Sequence, residues 1–392
     1  MPRLLYTYLI NQVLAPFYAS LLILSSILFL GKLIPLLNVI LDYNIGLPDF
    51  IRLYLYFTPQ LLLFALPMSS MLGVTLGTTH INNDNELMAL RASGVSLYKM
   101  LPPVVMVALG TAIITGIFSI YLIPAGSRAK VDLAFQLATD RIERSLHEKR
   151  FSESLGDIVL YADRIDPETR SLHGVFITDM RDQKHPVTII SQGGRISKDA
   201  EKGIISIALT RGSFNRDTDN VVQTISFDSY DLNLPVETPQ TSPLAKIGKS
   251  TMLQSELLAA AKQAGENTTE GAALLNAYHE RLVLPVCCFI LTILGFPLGF
   301  LSGSRHRTIG IPLALIIFIL FFVMLTAAKA LSESLLLPAA LAMWLPNLLF
   351  LIFTVYFVRT VARENHTRLL EIFYDIPYLL MQKLGLPGRR LR

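Results

Sequence analysis

The stretch RLVLPVCCFILTILGFPLGFLSGSR (281–305) carries no charge between its two terminal arginines. An α-helix needs roughly 20 largely apolar residues to cross the hydrocarbon core of a bilayer, so this run reads as a membrane span. Working outward, further charge-free intervals lie between Arg3 and Lys32, Arg52 and Asp84, Lys99 and Arg128, Arg307 and Lys329, and Glu333 and Arg359. The composition agrees. Of 392 residues, 52% are hydrophobic and 16% charged, and the mean hydropathy is +0.48, too apolar for an ordinary soluble domain. The chain is expected to be an α-helical polytopic membrane protein with six transmembrane helices.

The spans form two sets of three. Residues 1–125 hold the first set and 271–361 the second, followed by a basic tail at 362–392. Between them lies a hydrophilic insert, 126–270, long enough to be a domain. Its ends, VDLAFQLATDRIERSLHEKR (131–150) and SELLAAAKQAG (255–265), have helical spacing and read as connectors. From 156 onward the pattern changes to short β-branched and aromatic stretches, such as GDIVLYADRI and GIISIALTRGSF, separated by turn residues. This favours an inserted all-β domain, an antiparallel sandwich or jellyroll, over an α/β fold. In VVQTISFDSYDLNL (221–234), Ile225 and Phe227 share one face while Tyr230, Leu232 and Leu234 have the opposite parity. One strand requires a bulge near Asp228 and Ser229 to do that.

Lys and Arg in short loops are retained on the cytoplasmic side. With the N-terminus inside, Arg3, Arg91, Lys99, Arg305, Arg307, Arg359 and the basic tail are cytoplasmic, and only Lys32, Arg52 and Lys329 lie near the short outer loops. Both termini are therefore expected in the cytoplasm and the β domain outside, in the periplasm of a bacterium. The first span is longer than a signal-peptide core and has no small-residue cleavage site after it, so it is expected to be retained.

Catalytic constellations are not found. The seven histidines are scattered over both sides of the membrane without ligand spacing, and no nucleophile elbow occurs. The string KIGKS (246–250) is not a phosphate-binding loop, because position 243, where its first glycine belongs, is proline. Cys287 and Cys288, the only cysteines, are neighbours within the fourth span and read as packing or lipid-facing residues rather than a redox pair. The net charge of +4 follows from the topology and gives no sign of a nucleic-acid partner. No catalytic, cofactor or metal site is expected, and the chain has no ATPase site of its own.

Gly73 with Gly77, and Gly295 with Gly299 and Gly303, form G-x-x-x-G patterns at the cytoplasmic ends of spans. Such patterns let helices approach closely, whether at a fixed contact or at a moving one. Lys32 and Lys329 lie near the outer ends of their spans, where a lysine either snorkels to headgroups or faces a polar cavity. If both face inward, they form an anionic headgroup site.

The polar island NNDNELMALRASGVSLYKM (82–100) separates spans two and three on the cytoplasmic side. Asn83 or Asp84 is expected to cap a short helix there, with Glu86 in its first turn, Leu87, Ala89 and Leu90 on an apolar face, and Gly94 ending it. Packing alone would account for that helix. A two-span connection needs only a few residues, however, and a separate helix is also what a permease presents to a cytoplasmic motor.

ALPMSSMLGVTLGTTHINNDNELMALRASGVSLYKM (65–100), HERLVLPVCCFILTILGFPLGF (279–300) and AAKALSESLLLPAALAMWLPNLLF (327–350) resemble the LptF/LptG (YjgP/YjgQ) permeases of the lipopolysaccharide export ABC transporter. The likeness covers the whole chain, and N-E-L-x-A-L-R-A-x-G-V-S is its most specific part. The G-K-L pattern at Lys32 and the 85–96 segment resemble the F-type branch. The resemblance implies a pair of paralogous permeases in the bacterial inner membrane, driven by a homodimer of the ATPase LptB. It further implies that they deliver lipopolysaccharide through periplasmic jellyrolls to LptC and the LptA bridge. On it, Glu86, Leu87, Leu90 and Arg91 belong to an ATPase-coupling helix (82–96), and Lys32, with Lys329 by position, contacts lipopolysaccharide. Two other readings of the same outline are a permease exporting a lipoprotein or another amphiphile, and a membrane enzyme acting on lipid headgroups. The three-plus-three layout argues against the first, and the lack of a polar catalytic cluster against the second.

Overall fold

The computed structural model describes residues 2–43, 46–145, 149–152, 158–166, 171–180, 187–199, 204–218, 221–234, 248–265, 267–301 and 310–362. The chain runs through α1 (Pro2–Tyr43), α2 (Leu47–Asn83), α3 (Glu86–Ala92), α4 (Leu97–Ile117), a π-helical turn (Phe118–Leu122) and α5 (Ile123–Ser145). Six strands follow, β1 (Phe151–Ser152), β2 (Ile158–Asp166), β3 (Ser171–Asp179), β4 (Val187–Asp199), β5 (Ile204–Thr218) and β6 (Val221–Leu234). The chain then continues through α6 (Gln254–Ala264), α7 (Thr269–Leu301), α8 (Gly310–Glu333) and α9 (Ala339–Ala362). Among the described residues six helices are long and apolar enough to cross a membrane: Arg3–Ile34, Leu47–Asn83, Leu97–Ala134, Thr269–Phe300, Gly310–Glu333 and Ala339–Ala362.

The chain divides into two units, one made of Met1–Gly31, Pro59–Leu122 and Leu253–Arg392, the other of Lys32–Thr58 and Ile123–Met252. The second unit therefore ends before α6, whereas the sequence suggests an insert running to 270. The cause is local. Gln254 Nε2 donates to the Tyr278 carbonyl at 3.0 Å, and α6 buries Leu257 and Ala261, which ties it to the helical unit. The second unit also takes in the start of α2, because Leu53 forms a small core with Val131 and Leu133 of α5.

In the helical unit, α2 packs against both α1 and α7, and glycine explains both contacts. A Cβ on Gly73 would lie 2.7 Å from Phe17 Cβ, and one on Gly77 would lie 2.8 Å from the Gln12 carbonyl oxygen, so α1 rests directly on α2. On the other side, a Cβ on Gly295 would meet the Met71 carbonyl oxygen at 2.6 Å, and one on Gly299 the Thr75 carbonyl oxygen at 2.6 Å. Hydroxyls join the same seam: Thr75 Oγ1 donates to the Gly295 carbonyl at 3.2 Å and Thr79 Oγ1 to the Gly299 carbonyl at 3.3 Å. The Ser70 and Thr292 hydroxyls are also hydrogen-bonded to each other. Lipid offers no hydrophobic drive for helix association, so close dispersion contact and such hydrogen bonds hold the seam. Cys287 and Cys288 are buried free thiols, and Cys288 faces Ser70 in this seam. Gly303 lies outside the described residues.

In the second unit, β1 to β6 form one antiparallel sheet in sequence order. The ladder skips one position in each of β2 to β6: Asp163, Gly174, Gln192, Arg211 and Asp228. These positions form a crease across the sheet. The buried parity changes there on each strand: Val175 and Ile177 against Leu172 in β3, and Phe227 against Leu232 in β6. The parity break at Asp228 is therefore present, but no residue is inserted, since both partners skip together and the register is unchanged. The bulge expected from β6 alone is corrected to a crease shared by neighbouring strands. The backbone reason is a positive φ at Gly174 (60°) and Arg211 (47°).

Residues from both sides of the crease, among them Ile158, Leu160, Ile177, Ile189, Ile207, Leu209 and Leu232, form one core in which each is 2% exposed or less. A single creased sheet thus encloses an apolar interior. Gly174 is the most demanding point of the crease, since a side chain there would need a left-handed backbone and its Cβ would lie 2.9 Å from Asp163 Cβ. Gly174→Val is expected to destabilise the β domain by about 2 kcal/mol or more. Limited proteolysis of the full chain, with cleavage sites mapped to 150–235, measures it.

Candidate functional site

Glu86 opens the seven-residue α3, a length that cannot hold itself as a helix in water. Three features fix it. Asn85 is the N-cap residue with φ 60° and makes no side-chain cap bond; its carbonyl accepts from the Met88 and Ala89 amides at 3.1 and 3.2 Å. The expected cap by Asn83 or Asp84 is thus corrected. Asn83 still belongs to α2, and the Asp84 carboxylate lies 3.3 Å from His80.

At the other end, Gly94 takes φ 80°. Its amide bonds the Arg91 carbonyl at 2.9 Å, and the Val95 amide bonds the Leu90 carbonyl at 3.0 Å, the paired bonds of a glycine-terminated helix. The third feature is Leu87, which is 7% exposed and belongs to a core with Leu9, Val13, Val74, Ile81, Leu97 and Phe296; Leu90 packs against the same cluster. Leu87 and Leu90 therefore anchor α3 to the chain's own helices. Met88 (70% exposed), Ala89 and Ala92 point away from that core. Arg91 is half-buried.

The Glu86 side chain is held from another helix. Tyr8 of α1 donates its hydroxyl to Glu86 Oε2 at 2.5 Å, and Gln12 Nε2 donates to the Tyr8 oxygen at 3.0 Å. Tyr8 reads from sequence as one more aromatic near a membrane interface, and only the fold brings it to Glu86.

The second cluster lies in the other unit. Lys32 is exposed. Lys130 of α5 is 9% exposed, its ammonium is 4.3 Å from the centre of the Phe57 ring, and Lys32 is near enough to repel it electrostatically. Neither lysine forms an ion pair among the described residues. A partly desolvated cation against an aromatic face, with a second cation nearby, favours an anion between or beside them. Lys130 stands just before the stretch that reads as a helical connector (131–150), where nothing in the spacing singles it out.

Lys329 differs. Its ammonium is 2.8 Å from Glu280 Oε2 of α7, and its carbonyl accepts from Asn276 Nδ2 at 3.3 Å. Its charge is thus met within the chain, and Lys32 and Lys329 fall in different units. Among the described residues no group of three or more His, Cys, Asp or Glu is placed to hold a metal ion.

The family model described as "Lipopolysaccharide export system permease LptF/LptG" matches residues 7–360. The chain is similar to "Lipopolysaccharide export system permease protein LptF" of Escherichia coli (strain K12), with 21% identity over 351 residues, 88% of this chain and 91% of that protein. The protein of the same name from Shigella flexneri matches with the same identity and coverage. An uncharacterized protein of Rickettsia prowazekii (strain Madrid E) is 23% identical over 291 residues, 73% of this chain and 79% of that one.

Proposed function

Because the chain belongs to the LptF/LptG family of lipopolysaccharide export system permeases, inner-membrane transport proteins rather than enzymes, we propose that it is one of two paralogous permeases of an ATP-driven complex. That complex lifts lipopolysaccharide from the inner membrane and hands it to a periplasmic bridge. The partners in this reading are a second, G-like permease, an LptB homodimer in the cytoplasm, and LptC and LptA on the periplasmic side. Both termini and α3 are cytoplasmic, and the creased β domain is periplasmic.

The observation that carries the reading is the placing of Glu86. It is a carboxylate on a short helix anchored from three sides, beside an outward face of Met88, Ala89 and Ala92. A rigid element with one acidic group suits a separate motor that engages it through a cation. The need for a motor is energetic, since each CH2 removed from hydrocarbon opposes extraction by roughly 0.8 kcal/mol. Extraction of a multi-acyl lipid requires both an energy source and an apolar receiver, and the core of the creased sheet suits the second role. Only 11% of the apolar window of the first span is buried, which leaves Leu22, Ile23, Ile27 and Leu30 outside; the second permease covers this face.

At the outer end of the first span, Lys32 meets the phosphates of the lipid's sugar headgroup, with Lys130 beside it. Lys329, neutralised by Glu280, contributes less. In reconstituted vesicles carrying the whole complex, Lys32→Gln is expected to lower ATP-dependent lipopolysaccharide release about tenfold, on the scale of one hydrogen bond to a charged group. Lys329→Gln is expected to change it less than about twofold, as for a partly exposed ion pair. Equal effects at the two positions would remove Lys32 from the headgroup site.

A further inference from the structure

Glu86 has two carboxylate oxygens, and Tyr8 occupies one. Among the described residues the Tyr8 bond to Oε2 is the side chain's only hydrogen bond or ion pair. The donor is well fixed: Gln12 holds the phenol from one turn along α1, and the backbone at Gln12 lies against Gly77 of α2.

We propose that Tyr8 is a positioning residue for Glu86. It orders the carboxylate before the motor binds, leaves Oε1 open to a cationic N–H donor, and ties that contact to the first span. The inference rests on the reading of Glu86 as the group that engages the ATPase.

The physical reasons are separate from that reading. A free glutamate loses rotamer entropy when it is fixed, and a side chain ordered in advance does not lose it again on association. A phenol donating to a carboxylate makes a charge-assisted bond, shorter and stronger than a neutral one. Tyr8 uses one acceptor position of Oε2, so the carboxylate keeps Oε1 and a second position on Oε2 for a cationic partner. Force applied at Glu86 then passes through Tyr8 into α1, whose backbone at Gln12 and Val13 lies directly against Gly77 of α2. The same helix carries Lys32.

The test is a double-mutant cycle on the complete complex in nanodiscs, reading the apparent affinity for the ATPase subunit and lipopolysaccharide released per ATP. Tyr8→Phe removes one oxygen and is expected to weaken affinity about tenfold, with a parallel loss of release, while the thermal midpoint of the complex is unchanged. In a Glu86→Gln background it is expected to have no further effect, because contacting residues that act through each other are non-additive. Gln12→Leu, one step further out, is expected to cost about two- to threefold, since it removes only a neutral bond.

Wild-type behaviour of Tyr8→Phe alongside a defective Glu86→Gln would overturn the inference and leave the role of Glu86 standing. An equal loss from Tyr8→Phe in both backgrounds would also overturn it, because Tyr8 would then act on structure alone. Full activity of Glu86→Gln and Glu86→Ala would overturn the docking role and the inference with it.

Discussion

Glu86→Lys is expected to reduce ATP-dependent lipid release on the order of a hundredfold, because truncating or reversing one partner of a buried charge pair at an interface typically costs about 2–5 kcal/mol. The fold itself should survive. The side chain is half-buried, and α3 remains held by Leu87 in its core and by the bonds around Gly94. Loss of ATPase association with an intact permease is therefore the expected phenotype. Co-purification of the ATPase with the variant, together with an unchanged thermal midpoint of the permease, measures both halves. Retention of full association and release would remove Glu86 from the coupling contact.

The second large effect is structural. Gly299→Leu is expected to destabilise the helical unit by about 3 kcal/mol, the upper range for overpacking a close-packed site. Its Cβ would meet the Thr75 carbonyl oxygen at 2.6 Å, so α7 must move off α2 and break the Thr75 and Thr79 bonds to its backbone. Gly110 provides the contrast, because nothing lies within 4 Å of a Cβ there. Gly110→Ala in α4 is expected to be neutral or to stabilise by up to about 1 kcal/mol through helix propensity. Thermal midpoints of the purified variants in one detergent compare the two. A Gly299→Leu protein as stable as the parent would mean that the seam is loose.

Much of this arrangement was legible in the sequence because it depends on local pattern. The intervals free of charge give the membrane spans, and the spacing of Gly73, Gly77, Gly295 and Gly299 marks the faces on which helices meet. The parity change at Asp228 also stands in one strand. What was not legible is pairing between distant segments. The crease involves Gly174 and Arg211 as much as Asp228, and no single strand states that its neighbours skip in step.

The same limit applies to the site. The ending of α3 at Gly94 is a local signal, but its start was misplaced because α2 runs on through Asn83, so that the turn falls at Asn85. The direction of Leu87 depends on Leu9, Val74 and Phe296, which lie far off in sequence. Tyr8 and Lys130 had no local mark at all. Each gains meaning only from a partner on another helix, Glu86 in one case and Phe57 in the other.

On the proposed function, this chain holds lipopolysaccharide and gives it up when ATP is hydrolysed. A photoreactive amino acid at position 32, in the complete complex reconstituted with lipopolysaccharide and phospholipid, tests it most directly. The expected result is a lipopolysaccharide adduct that forms without ATP, decreases when ATP is added, and persists under ATP in Glu86→Lys. Adducts to phospholipid alone, or a lipopolysaccharide adduct that ATP does not change in the unmutated chain, would contradict it.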